Sequence, residues 1–264
     1  MTQFVTSQCA ILVGGRGSRL GPAFANRPKP LIAIDGEPFL KTLISEVERQ
    51  HFSRILLLAG YQSDQVVAFV KALQQSGQIR IPIEISIEPE PLGTAGAIAH
   101  ASALLEDVFF LLNGDSWFDF NWRDLDLLLH ASPDAHIALA LRWETDSSRF
   151  GVATLRGEVV TAFRERGSTQ RGLINGGVYC CRRTLVQHLP RSGSLELDVL
   201  PELADRSQVV GRIYEGPFID IGIPASLAEA QRLIPKIKDR PAAVINSKVT
   251  AKRRPSALHR NSPR

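Results

Sequence analysis

Nowhere in the 264 residues do apolar side chains run for 18 positions, the least that a membrane-crossing helix needs, and residues 1–8 are too short and polar for a secretory signal. The expectation is a soluble, cytoplasmic protein with no membrane partner. Cysteine is scarce as well. Cys9, Cys180 and Cys181 are the only three, two of them adjacent and none at metal-ligand spacing, which argues against a disulfide or zinc framework and for reduced thiols buried in strands. Also missing are the G-K-[ST] ending of a Walker loop, the G-x-G-x-x-G of a dinucleotide-binding turn, and any triad arrangement of the six histidines. His51, His100, His130, His136 and His188 read as helix-end or surface residues, and His259 lies near the end of the chain.

Acid is missing from one end. Residues 236–264 hold nine Lys or Arg against a single acid, Asp239, so residues 1–235 carry 22 basic and 26 acidic side chains, a net of −4. The formal +4 of the whole chain is therefore a property of a Pro-, Ser- and Arg-rich tail, and no nucleic-acid partner is expected, because such a reader carries its charge on the folded body. At 44% hydrophobic, the chain is long enough for one sizeable core and too short for two full domains. One α/β domain over 1–235 and a basic, partly disordered tail over 236–264 are expected. The tail's "RPAAVINSKV" holds a short apolar run able to add a strand or dock on the body.

Short apolar runs alternate with longer amphipathic stretches. "CAILV", "RILLLAG", "IPIEISIE" and "VFFLLNGD" read as strands, whereas "FLKTLISEVERQ", "SDQVVAFVKALQQ" and "LGTAGAIAHASALL" read as helices. That alternation predicts a Rossmann-like, mostly parallel mixed sheet covered by helices on both faces, with ligands outside the carboxyl ends of its strands. After Asp134 the runs are shorter, more β-branched and joined by glycine turns, which predicts antiparallel or mixed strands forming the edge of the sheet and a small β-rich lobe as a lid.

Two features carry chemistry. In "ILVGGRGSRLGPAFANRPKPL", Gly14, Gly15 and Gly17 follow an apolar run, and Arg16, Arg19, Arg27 and Lys29 come close behind. A bare glycine turn is the plain reading. The added cations and the stiff Pro28-Lys29-Pro30 favour a phosphate cradle in which Lys29 is a fixed point charge. Its ammonium is expected to be solvated and to contribute little to the core. Asp115 ends the most hydrophobic strand, and Asp220 sits between Ile219 and Ile221 before a glycine. Either is readable as a turn cap, but together they suit one Mg²⁺, which is commonly held by one or two carboxylates plus substrate phosphates.

On these residues, and on "EPEPLGTAGAI", "LNGD", "FGVATL", "FRERG", "LINGGVY", "SLELDVLP" and "GPFIDIGIP" in the same order, the chain resembles the sugar-1-phosphate nucleotidyltransferases, in particular bacterial heptose 1-phosphate guanylyltransferases. The resemblance implies a Mg²⁺-dependent enzyme joining a sugar 1-phosphate to a nucleoside triphosphate in nucleotide-sugar and cell-surface polysaccharide synthesis, and it leaves a homo-oligomer open. It implies that Gly14, Gly15, Gly17 and Arg19 bind phosphate and base, that Lys29 bridges the reacting phosphates, and that Glu88, Gly93 and Thr94 lie near base or ribose. Asp115 and Asp220 match the family's metal ligands, and Arg19, Lys29 and Asp115 its catalytic groups. Gly151, Glu165, Arg166, Asn175 and Gly176 match the sugar side. Arg166 stands where the family usually has Lys, Gly176 where it often has Ala, and Val13 where it often has Ala, the last placing a bulkier side chain near the base pocket. The tail lies where some heptose enzymes begin a phosphatase, but its acids are gone, so no phosphatase activity is expected.

Other readings compete. A Rossmann oxidoreductase lacks its turn here and a kinase its loop. A non-catalytic relative that binds sugar nucleotide is separated from an enzyme by the joint presence of Arg19, Lys29, Asp115 and Asp220. Mannose 1-phosphate with GTP, or glucose 1-phosphate with CTP or UTP, remain open as substrates.

Overall fold

The computed structural model describes residues 6–24, 26–164 and 170–237. Glu165 and Arg166, and all of the tail from residue 238, lie outside the described residues. The first strand, β1 (Gln8–Leu12), shows how the fold is assembled: Cys9 and Ile11 face one layer of core and Ala10 the other. A strand with both faces covered in this way belongs inside a helix-flanked sheet.

The small hairpin β2 (Ala33–Ile34) and β3 (Glu37–Pro38) leads into α1 (Phe39–Arg49), which buries Phe39, Leu40, Leu43, Ile44 and Val47 as one stripe. Then come β4 (Arg54–Ala59), α2 (Ser63–Gln75), β5 (Ile83–Ile87), α3 (Gly93–His100), β6 (Val108–Asn113) and β7 (Ser116–Phe118). Next are α4 (Arg123–His130), β8 (Ile137–Glu144), β9 (Val152–Arg156), β10 (Val159–Arg164) and β11 (Gly172–Arg182). The described residues close with α5 (Leu200–Asp205), β12 (Val209–Ile213), β13 (Phe218–Asp220) and α6 (Pro224–Ile237), and α6 runs two residues past the domain boundary expected at 235.

Among the described residues, nine strands form one sheet in the order β5-β4-β1-β6-β11-β8-β12-β10-β9. The β5-β4-β1-β6 half is parallel throughout, β8 and β12 are parallel, and β11 runs antiparallel to both of its neighbours. The strands after Asp134 are mixed, as expected, and build the second half of the sheet, with β10 and β9 at its far edge; what the sequence reading did not foresee is that β11 reaches the centre, beside β6. β11 buries nine of its eleven residues, and a strand that apolar is stable only in the middle.

The three thiols are free and fully buried, Cys9 in β1 and Cys180 and Cys181 in β11, and burial pushes each well above the usual thiol range.

At the amino-terminal end of β8, His136 and His188 face one another with their Nε2 atoms 3.2 Å apart. Burial first, then His188 and Arg182, hold His136 below the ordinary imidazole range. The native chain thus takes up a proton on His136 less readily than the unfolded chain. Its contribution to stability is fully present above the unfolded pKa of about 6.5 and is lost as the pH falls below it. Thermal melts between pH 7.5 and 5.5 should accordingly show a shallower loss of Tm for His136→Gln than for the parent, and equal slopes would remove His136 as a source of acid sensitivity.

Candidate functional site

A cleft of about 900 Å³ opens at the carboxyl ends of β1 and β6. The glycine loop forms one wall. After Val13, whose N–H donates to the Leu58 carbonyl at 2.9 Å, the chain leaves the sheet and returns at residues 28–31, where the Lys29 N–H donates to the Gly15 carbonyl at 2.9 Å. The "PKPL" segment is thus laid back over the loop. Gly15, Arg19, Lys29 and Pro30 line the cleft, with Arg19 exposed on the short 3₁₀ turn Ser18–Leu20. Val13 is fully buried in the core and does not itself line this cleft.

Asp115 and Asp220, more than a hundred residues apart in sequence, are brought together by the two-stranded β7–β13 sheet, in which Ser116 pairs with Asp220 and the Ile221 N–H donates to the Asp115 carbonyl at 2.9 Å. Phe118, Phe120, Tyr214 and Phe218 pack around this ribbon, with Phe120 and Tyr214 stacked at 4.0 Å. Between them, the Asn-Gly-Asp turn needs Gly114 because a Cβ there would lie 2.0 Å from the Leu12 carbonyl oxygen.

Each carboxylate carries a cation. Lys29 pairs with Asp115, and the Arg149 Nη2 donates to Asp220 Oδ2 at 2.9 Å. Lys29 is 6% exposed, so the expectation of a solvated lysine is corrected: its stem is packed and its ammonium is held by Asp115. Burial raises the Asp220 carboxyl above the usual range, and the neighbouring Asp115 charge raises it further, against Lys29 and Arg149. Two carboxylates that repel each other across a cleft are hard oxygen donors suited to a Mg²⁺ ion that completes its shell with water and phosphate oxygens. No group of three or more metal-ligating side chains occurs among the described residues.

The opposite wall comes from the second half of the chain. Gly151, Asn175, Phe150, Phe163 and Arg164 line it, and so does a single π-helical turn, Leu195–Val199. That turn presents Glu196, which the sequence reading passed over within "SLELDVLP". Glu196 accepts from the Thr94 hydroxyl at 2.9 Å, the Ser194 hydroxyl at 3.2 Å and the Tyr179 hydroxyl at 3.3 Å, and Asn175 donates to Tyr179 at 2.6 Å. Thr94 also accepts the Leu195 N–H at 2.7 Å, so this residue ties α3 to the π-helical turn as well as lining the cleft.

Several expected residues lie apart from the lining. Glu88 stands over Gly14 and Gly60 beside the loop, accepting the Leu92 N–H at 3.3 Å, and burial raises its carboxyl. Gly93, at φ 73°, underlies the Gly193 carbonyl, which a Cβ would approach to 2.3 Å. Gly17 rests on the Lys29 stem, and Gly176 packs against the Phe118 ring, while its neighbour Gly177 reaches the cleft.

Residues 9–237 match the family model described as nucleotidyl transferase. The chain is 34% identical to the D-glycero-α-D-manno-heptose 1-phosphate guanylyltransferase of Aneurinibacillus thermoaerophilus, over 85% of this chain and 97% of that one. It is 31% identical to the Campylobacter jejuni enzyme of the same name, over 82% and 95%. The crystal structure of HddC from Yersinia pseudotuberculosis complexed with GMP-PN superposes with a TM-score of 0.74 at 29% identity, covering 87% of this chain and all of that one.

Proposed function

This chain belongs to the nucleotidyl transferase family, and we propose that it joins a heptose 1-phosphate to GTP, giving a GDP-heptose and pyrophosphate with Mg²⁺ as cofactor. The observation that carries the reading is the alternation of Lys29, Asp115, Asp220 and Arg149 at one mouth of the cleft. A phosphate oxygen of the sugar attacks the α-phosphorus, a new P–O bond forms, and the bond to the β-phosphate breaks to release pyrophosphate. Both partners are anions, so positioning and charge neutralisation carry the catalysis and no protein nucleophile is required. Mg²⁺ bound by Asp115 and Asp220 would supply charge neutralisation at the reacting phosphates. Lys29 holds a fixed positive charge at the same place, and Arg19 and the amides of Gly14, Gly15 and Gly17 receive the triphosphate.

Glu88, Gly93 and Thr94 stand on the side assigned to base and ribose. Gly151, Glu165, Arg166, Asn175 and Gly176 are assigned to the sugar, of which Gly151 and Asn175 line the cleft together with Gly177. A panel of four nucleoside triphosphates against heptose, mannose and glucose 1-phosphates, read by pyrophosphate release, tests the choice: GTP with heptose 1-phosphate should be fastest, and a faster pair replaces it.

Glu196 is assigned to the sugar side through Tyr179, which donates to it and accepts from Asn175. Glu196→Gln keeps the shape and removes a charged acceptor for sugar hydroxyls, which at about 1–3 kcal/mol is a roughly 5- to 150-fold loss. The expected result is a lower kcat/KM for the sugar phosphate with the KM for GTP nearly constant. Equal changes for both substrates would assign Glu196 to scaffolding alone.

The catalytic unit is proposed to be residues 1–235 with the basic tail dispensable, a division supported by the family match ending at 237. Truncation after Ile237, which spares α6, should keep most of the activity and weaken retention on anionic polymers. A folded but inactive truncated chain would give the tail a role in the site.

A further inference from the structure

Arg149 is the cation of the cleft that no sequence motif singled out. It lies on the loop between β8 and β9, whose base is pinned by the Ser147 hydroxyl donating to the Gln170 carbonyl at 2.8 Å and by the Phe150 N–H donating to the Ser147 carbonyl at 2.9 Å. The guanidinium reaches Asp220 through Nη2, lies 5.2 Å from the centre of the Phe150 ring, and keeps its Nε buried with no hydrogen-bond partner among the described residues. A guanidinium offers five N–H groups in a planar fork shaped for a phosphate. On Asp220 most of that capacity goes unused.

The neighbourhood has a common centre. The position of a Cβ on Gly222 would lie 3.2 Å from both Arg149 Nη2 and Lys29 Nζ, and 2.5 Å from Asp220 Oδ1. Two cations and two carboxylates therefore crowd one small volume and neutralise one another. A divalent cation shared by Asp115 and Asp220 adds two positive charges there, which makes Arg149 a competitor for Asp220 and sets it free for an anion. Gly151, Phe150 and Arg164 surround it on the sugar side of the cleft.

The geometry points to Arg149 as an exchangeable cation: it neutralises Asp220 in the ligand-free cleft and passes to the phosphate of the sugar substrate when a divalent cation occupies Asp220. The phosphate destination rests on the nucleotidyl-transfer reading above, whereas the competition for Asp220 does not.

The two halves have separate measurements. Mn²⁺ binding to the nucleotide-free full chain is followed by electron paramagnetic resonance of the free ion. Exchange requires Arg149→Ala to bind Mn²⁺ more tightly, by about 10-fold for the loss of a like charge at this range, and Arg149→Lys to stay near the parent. If Arg149 merely orients Asp220, the alanine variant binds Mn²⁺ more weakly, and equal or weaker binding overturns the exchange. Calorimetry with heptose 1-phosphate, in the presence of Mn²⁺ and a GTP analogue with a methylene bridge between the α- and β-phosphorus, should then show at least about 10-fold weaker binding in Arg149→Ala, with partial recovery in Arg149→Lys. Unchanged affinity there overturns the phosphate destination. Arg149→Gln repeats both comparisons if the alanine variant melts early. Failure of every triphosphate and sugar phosphate pair to release pyrophosphate would instead overturn the functional reading and leave the Mn²⁺ comparison standing.

Discussion

Lys29→Met is expected to lower kcat by about 10²-fold or more while the chain still folds cooperatively. Methionine keeps the unbranched stem that packs on Gly17 and deletes only the ammonium. In the mechanism proposed above that ammonium would face charge building on the phosphates, and removing one preorganised group of this kind costs about 10²–10³ in rate. The stability cost is smaller than for a sealed ion pair, where an abandoned charge costs about 3–5 kcal/mol, because the Asp115 side chain keeps 34% of its exposure and can be hydrated. Pyrophosphate release measured beside a thermal melt separates the two effects. Activity within tenfold of the parent in a folded variant, or a loss accounted for by unfolding, would take Lys29 out of the chemistry.

Asp115→Asn should have an effect of the same order, at least about 10²-fold, by the opposite loss. The amide keeps the shape and can still accept from Lys29, and the backbone contact from Ile221 is untouched. What disappears is one of the two negative charges that would share a cation. The variant's Mg²⁺ dependence should therefore move to higher concentration, and its melting temperature should hold or rise, since the Asp115 charge helps to raise the Asp220 carboxyl. With both aspartates on one ion, as proposed, the Asp115→Asn, Asp220→Asn double variant should lose less than the product of the single losses. Undiminished turnover in folded Asp115→Asn would sink the assignment.

The first half of the molecule was legible because its signals are local. Apolar periodicity marks Ser63–Gln75 as a helix at both ends, and an all-apolar run ending in a glycine marks Val108–Asn113 as a central strand. The position of β11 was not legible, since neighbours in a sheet are chosen by pairing across distant sequence. Nothing in "GLINGGVYCCR" says that it will lie between β6 and β8. The same limit applied to the site. Lys29, Asp115 and Asp220 stood out because a cation between prolines and acids at the ends of apolar runs have no packing reason to be there. Arg149 sits in a polar loop, "TDSSRF", that looks like any other turn, and Glu196 sits in a stretch whose π-helical turn has no period of its own to detect. Both owe their significance to partners supplied by the fold.

The fully buried, protonated thiols of Cys9, Cys180 and Cys181 have a practical consequence. Thiolates are the species that react with maleimides and iodoacetamides, so the native chain is a silent background for such reagents. A cysteine introduced at Leu197, which is 63% exposed at the cleft, would then take up label alone and give a fluorophore or spin probe positioned to report ligands arriving there, with no need to delete the native three.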